Sequence, residues 1–275
     1  MPYAILLNEL KPLDLQKTAA ILAKAEDIIY ADATRSVRNC CGVLAMGLPF
    51  DEAKSISDEL NREGIGVFYM DQSQMYYPEP TVHVNNADCL EQCFDVQDMY
   101  GRSHPLLWAN TILISLGRVV ERKERGGSGG LTAGPSLGTV ITHSLMGIPG
   151  RGMVPRPSMP PTPRKITEEE HLILDIFSEV PQKKHYRIQQ KAFNYDYLGH
   201  RLKSSSAENI RLLVEDLVGY AKQAYGNRGI NAFLSGKEPE KMHYNDLDHF
   251  DKENLWLLQL IHLGPSASEE GKSEE

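Results

Sequence analysis

With 275 residues the chain has room for one large domain or two small ones, and its 41% hydrophobic and 24% charged residues are the balance of an ordinary globular protein. A formal net charge of −8 argues against a dedicated nucleic-acid binder, which usually carries a basic face. No apolar stretch reaches the length needed to span a bilayer, and residues 1–14 turn polar too soon for a signal peptide. The four cysteines read as reduced thiols, so the expected location is cytoplasmic.

The first 75 residues read as a small α/β unit. A strand over residues 3–7 leads into a helix over 14–25, with Asp14 as its N-cap and Leu15, Ala19 and Leu22 on one face. A second helix over 32–39 precedes a strand over 41–46, closed by Gly47-Leu48-Pro49. Residues 51–64 give a helix with Asp51 as cap, Ala53, Ile56 and Leu60 as buried stripe, and Gly64 in the left-handed position beyond its end. A strand over 65–70 completes the order β-α-α-β-α-β, which predicts a three-stranded sheet with helices over one face. In Gly42-Val-Leu-Ala-Met-Gly47, the helix over 51–63, Gly64 and the Val67 strand, this unit resembles the C-terminal domain of the ribosomal stalk protein. The resemblance implies the fold alone. That family meets translation factors through a Gly- and Lys-rich helix start, and here the matching stretch is Ala31-Asp-Ala-Thr-Arg-Ser36.

Tyr76-Tyr77-Pro78-Glu79-Pro80 reads as a linker, because closely spaced prolines fit neither sheet nor helix. Strands are expected over 81–84, 92–97 and 106–120, the last burying Trp108, Ile112 and Ile114. Residues 124–165 are rich in glycine and proline and carry an excess of basic residues, which predicts a disordered insertion. Within it, Gly126-Gly-Ser-Gly-Gly130 lacks phosphate-loop spacing, and residues 139–146 form an apolar island. Two antiparallel strands follow over 172–180 and 185–198, joined by a turn at 181–184, with Phe193, Tyr195 and Tyr197 alternating in the second. A capping box of Ser205 and Glu208 opens a helix whose stripe is Ile210, Leu213, Val214, Leu217 and Ala221 and whose stop is Gly226. A short helix begins at Asn227-Arg228-Gly229, and a last one over 246–260, capped by Asn245 or Asp246, packs Leu247, Phe250, Leu255 and Leu258.

In Phe94-Asp-Val-Gln-Asp-Met-Tyr-Gly101, in residues 108–112 and in the helix over 210–221, this part resembles the bacterial pleckstrin-homology-like domain. That resemblance implies a curved antiparallel sheet closed at one end by a helix. The expected organisation is therefore α+β: a small α/β domain over 1–75, a pleckstrin-homology-like domain over 81–235 split by the insertion at 124–165, a helical extension over 236–263 and a disordered acidic tail over 264–275. Its sharpest consequence is that Trp108 and the Ile210–Leu217 stripe share one core.

Chemistry-bearing residues are few. His185, Arg187, Asn227 and Arg228 are the binding candidates; Arg228 is expected either to grip an anion or partner carboxylate or to bond the carbonyl end of the preceding helix. Cys40, Cys41, His83, Cys89 and Cys93 hold enough donors for zinc, but adjacent cysteines seldom share one ion and the Cys89–Cys93 spacing is loose support. The His and Asp residues of 243–251 match no metal-loop spacing. No metal and no cofactor is assigned, and neither a nucleophile elbow nor a dinucleotide fingerprint is present. The leading expectation is a non-enzymatic binding or adaptor protein of the bacterial cytosol, with a protein or peptide partner and no nucleic acid. The alternatives are an enzyme with its site between the two modules, using Arg187, His185 and Arg228 with the insertion as a lid, and a regulator that senses a small ligand through the N-terminal unit.

Overall fold

The computed structural model describes residues 1–25, 28–98, 100–125, 165–179 and 183–264. The insertion expected at 124–165 with its apolar island, the first half of the turn at 181–184 and the tail expected at 264–275 lie outside those residues, save for the two ends of the insertion, which are strand, and Gly264. The described residues of 1–121 and 170–264 form one compact unit, and residues 122–125 and 165–169, outside it, are strand ends.

The α+β class holds. At the N-terminus β1 (Tyr3–Leu7), α1 (Leu15–Ala25), α2 (Tyr30–Arg38), β2 (Val43–Leu48), α3 (Phe50–Arg62) and β3 (Val67–Asp71) follow the expected order. Asp14 caps α1, its Oδ1 accepting from the amides of Gln16 and Lys17 at 3.2 and 3.1 Å. The α3 cap differs from expectation. Pro49 holds the N-cap position without a side-chain bond, so Asp51 lies inside the first turn. Gly64 takes φ +81° beyond the end of α3, as its sequence position predicts. The strands pair antiparallel in the order β2-β1-β3, which leaves β2 and β3 as edges. One face of this sheet carries Ile5, Leu7, Leu44 and Val67 into a core with Leu22, Val37, Ile56 and Leu60 of the three helices.

The second sheet comprises β4 (Val82–Cys89), β5 (Cys93–Asp98), β6 (Ser103–Leu107), β7 (Thr111–Arg125), β8 (Lys165–Ser178), β9 (Lys184–Gln189) and the two-residue β10 (Tyr225–Gly226) and β11 (His243–Tyr244). Its order is β10-β7-β8-β9-β4-β5-β6, with β11 also on β7. The β4–β5, β5–β6 and β8–β9 ladders are antiparallel, while β4–β9 and the two short strands on β7 are parallel joins. The run over 106–120 is broken at Trp108–Asn110 by a 3-10 turn. The strand expected over 185–198 stops at Gln189, where the amides of Ala192 and Phe193 turn back onto the Gln189 carbonyl. Phe193 and Tyr195 are nonetheless buried, and Tyr197 lies in a 3-10 segment; an alternating aromatic pattern does not separate a strand from a packed turn.

Helix α4 (Ser206–Tyr220) opens with Ser205 Oγ accepting from Ala207 N at 3.2 Å, so the reciprocal box with Glu208 does not form. It ends at Tyr220, and Gly226 belongs instead to β10. The expected stripe is intact: Ile210, Leu213, Val214 and Leu217 share one core with Trp108, Phe94, Leu174 and Ile188. Helices α5 (Arg228–Ser235) and α6 (Leu247–Leu263) are capped by Asn227, which accepts from Ile230 N, and by Asp246, which accepts from His249 N, both at 2.9 Å.

The segment read as a C-terminal extension contributes a layer that the sequence did not announce. On one side α6 covers the far face of the large sheet, with Leu258 against Leu113 and Phe177, and Phe250 against Val119 and Ile173. On its other side Trp256 packs on Leu6 and Val43 of the small sheet, and its indole N–H donates to Leu7 O at 2.6 Å. The layers therefore run helices, small sheet, α6, large sheet, helices. Close approach at α6 is set by Gly117 on β7: a Cβ there would lie 2.7 Å from the Phe250 ring and 2.9 Å from Tyr244. The linker at 76–80 is packed too, since Tyr76 is buried with its N–H and C=O both bonded to the Gln259 amide at 2.7 and 2.9 Å.

Candidate functional site

The α6 face of β7, β8 and β9 is apolar except for a polar belt. Period-2 alternation puts Asp175 beside Ile173 and Phe177 on this face, and sets His185 and Arg187 next to it on β9. Asp175 is fully buried and accepts from Arg187 Nε at 2.8 Å, Arg187 Nη2 at 2.6 Å and Asn254 Nδ2 at 3.2 Å. Asn254 in turn accepts from Ser115 Oγ at 2.5 Å, and Arg187 also bonds Asp251 on α6. Burial alone would raise the Asp175 pKa; the Arg187 guanidinium and His185 more than offset it and hold the carboxyl below its usual value. Asp251 is pushed the other way, upward, by burial only partly countered by Arg187.

His185 sits at the edge of this belt, stacked on Phe177 with ring centroids 4.3 Å apart. Its Nδ1 is 2.9 Å from Thr81 Oγ, and its Nε2 is 2.8 Å from Asp175 Oδ2 but out of line for a hydrogen bond. Beside it opens a cleft of about 200 Å³ lined by Pro78, Pro80, Thr81, Phe177, His185 and Asp251, among others.

Of the residues chosen from sequence, the structure thus brings His185 and Arg187 together. Asn227 and Arg228 belong to another cluster. Asn227 is buried: besides capping α5 it accepts from Leu116 N and donates to Leu116 O at 3.0 and 3.1 Å. Arg228 does not bond the end of the preceding helix; its Nη2 lies 2.8 Å from the buried Glu253 and its guanidinium 5.3 Å from the Tyr244 ring centre. Burial pushes the Glu253 pKa up against the pull of Arg228. The zinc candidates are not assembled: Cys40 is in the N-terminal core, Cys89 packs on the large core, and His83 is exposed on β4. Among the described residues no group of three or more His, Cys, Asp or Glu is placed to hold a metal. Burial pushes the Cys41 and Cys89 thiols up to about 11.

Asp175 and Asn254 were missed in the sequence, and Asp251 was weighed only as part of a metal loop. A signal existed for the first, a single charge inside the apolar run Leu172-Ile-Leu-Asp-Ile-Phe177. The other two lie on a helix whose polar side looks solvent-facing until both of its faces are known to be covered.

A second concavity, of about 350 Å³, follows the open edge of β2. The end of α2 supplies Arg35, Ser36, Asn39 and Cys40, β2 supplies Val43 to Met46, and Lys252 comes from α6. At the other edge of this sheet a side chain covers the start of the strand, since the Asn61 amide bonds both the N–H and the C=O of Val67, the first residue of β3, at 3.0 Å. The outer strand β6 of the large sheet carries Pro105, which has no N–H to offer a further strand. In contrast β2 has neither device. Register shifts skip Leu44 and Gly47, leaving Ala45 and Met46 as its regular middle, and Met46 is 44% exposed.

No helix among the described residues is long and apolar enough to cross a membrane. No protein-family model, curated protein or solved structure matches the chain.

Proposed function

We propose that the protein is a cytosolic binding or adaptor module whose partner is a protein or peptide. The observation that carries this reading is the contrast between its two polar regions. In the belt under α6 the charged groups are already bonded to one another, as Arg187 is to Asp175 and Asp251, which suits a rigid frame. Along β2 the backbone edge lies open beside a groove. Open edges recognise extended peptides through main-chain hydrogen bonds, and the flanking groove supplies selectivity. Display of random peptides tests it. Specific sequences are expected to be enriched on the wild type and lost on Ser36→Trp, which fills the groove from an exposed position of α2. Failure to enrich any sequence refutes the reading.

One observation favours a second reading, catalysis. Thr81, His185 and Asp175 stand in the order of a nucleophile, base and acid beside a cleft. Against it, Asp175 is committed to Arg187, and about 200 Å³ is small beside the roughly 300–1,000 Å³ of small-molecule sites. Hydrolysis of small activated esters, abolished by Thr81→Val with the fold intact, would replace the first reading with this one.

A further inference from the structure

We infer that the groove along β2 takes an acidic, extended segment of a partner protein; this rests on the binding-module reading and adds the chemistry of the partner. The lining residues include two cations, Arg35 and Lys252, and no carboxylate, in a chain whose net charge is −8. The nearest acid on the same helix is Asp32, exposed and 3.5 Å from Arg35, a pairing that leaves the guanidinium open to a better partner. Lys252, the second cation of the lining, comes from α6 and is exposed. The two cations come from different elements, one from α2 and one from α6, and the polar side chains of Ser36 and Asn39 line the same groove. The floor is made of Val43 to Met46 and presents a main chain without a neighbouring strand. A peptide laid along β2 has alternate side chains pointing to opposite sides of the strand plane, so acidic residues on both sides give it carboxylates to offer to either cation. The short regular stretch at Ala45 and Met46 limits the match to a few residues, so the contact depends on these charges rather than on a long ladder.

The segment 265–275 of the chain itself also carries four glutamates, Glu269, Glu270, Glu274 and Glu275. It follows α6, whose Lys252 lines the groove, and is therefore the competing occupant that a test must separate from a partner.

The test uses the full chain and three labelled peptides of eight residues, two repeats of Thr-Thr-Glu-Glu, which set Glu on both sides of the strand plane, and the same peptide with Gln or Lys for Glu, written Thr-Glu, Thr-Gln and Thr-Lys and read by fluorescence anisotropy. The Thr-Glu peptide is expected to bind at least about tenfold more tightly than Thr-Gln, with Thr-Lys weakest and with the preference shrinking at high salt. Lys252→Glu and Arg35→Glu, both at exposed positions, are expected each to cut Thr-Glu binding about tenfold, and the double variant to prefer Thr-Lys. Equal binding of Thr-Glu and Thr-Gln overturns the acidic partner while leaving the binding-module reading in place. Binding of none of the peptides counts against both. A variant with the four tail glutamates changed to glutamine separates the occupants: unchanged Thr-Glu affinity supports a partner, whereas binding seen only in that variant assigns the groove to the chain's own tail and overturns the proposal.

Discussion

Changing Asp175 to asparagine alters one charge and almost no volume, at the most connected point of the belt under α6. Asparagine keeps one acceptor but turns the other oxygen into a donor, which faces Arg187 Nε, now at 2.8 Å, if it replaces Oδ1, and both Arg187 Nη2 and the Asn254 amide, now at 2.6 and 3.2 Å, if it replaces Oδ2. Arg187, itself buried, is left with Asp251, whose side chain is 45% exposed. Removing one partner of a buried pair costs about 3–5 kcal/mol, mostly because the remaining charge stays buried without compensation. Asp251→Asn, at the solvent-facing end of the same guanidinium, should cost under about 1 kcal/mol. Urea unfolding followed by the fluorescence of Trp108 and Trp256, one on each side of the large sheet, reads both effects. At a slope of about 2–3 kcal/mol per molar urea the Asp175→Asn midpoint falls by about 1–2.5 M with the slope unchanged. The paired replacement Asp175→Leu with Arg187→Met should regain most of the loss, because it removes the burial penalty together with the bond. A loss below about 1 kcal/mol for Asp175→Asn, or one equalled by Asp251→Asn, would refute the role given to this carboxylate.

Three further outcomes follow from the same geometry. Gly117→Ala drives a methyl group into Phe250 and Tyr244 and should cost about 1–3 kcal/mol, reduced when Phe250→Leu makes room; an unchanged thermal midpoint would contradict the close approach of α6. Because the Asp175 pKa is held down in the folded state, its contribution to stability is fully present above the unfolded carboxylate value of about 4 and is lost as pH falls through the lower folded value; denaturation midpoints of wild type and Asp175→Asn should therefore converge in acid, and parallel curves would contradict this. With their thiols pushed up to about 11, Cys41 and Cys89 should alkylate slowly at pH 7 and faster by about tenfold per pH unit above it, as site-resolved mass spectrometry can follow; rapid labelling at neutral pH would show that neither is buried as described.

How much of this was legible depends on the range of the interaction. Caps and stops are local, so Asp14, Gly64, Asn227 and Asp246 could be placed from the sequence, and the α4 stripe followed from a 3.6-residue period. Even the meeting of Trp108 with that stripe was within reach, because one apolar strand and one amphipathic helix left few other surfaces to bury. Helix α6 was not. Glu253, Asn254 and Gln259 look like a solvated side, yet all three are buried because their partners, Arg228, Ser115, Asp175 and Tyr76, come from distant parts of the chain. The parallel join of β4 to β9 is equally silent in sequence, since Val82 and Tyr186 are brought together across all the intervening strands and the insertion. Among the site candidates, His185 and Arg187 were found as polar residues in an apolar strand, but the lone Asp175 that organises them was read as part of the run around it.

The place of α6 between the sheets also bears on how the chain comes off the ribosome. Every strand of both sheets precedes it, from β1 to β11. Until residues 247–263 have emerged, Leu6 and Val43 on one sheet and Val119, Ile173 and Phe177 on the other have no covering layer. Synthesis therefore passes through a long interval in which nearly all of the hydrogen-bonded framework is available and two apolar faces stand open at once. One helix covers both, so a chain halted just short of Phe250 is expected to keep both faces exposed and to be a substrate for chaperones and proteases rather than a slightly shortened version of the protein.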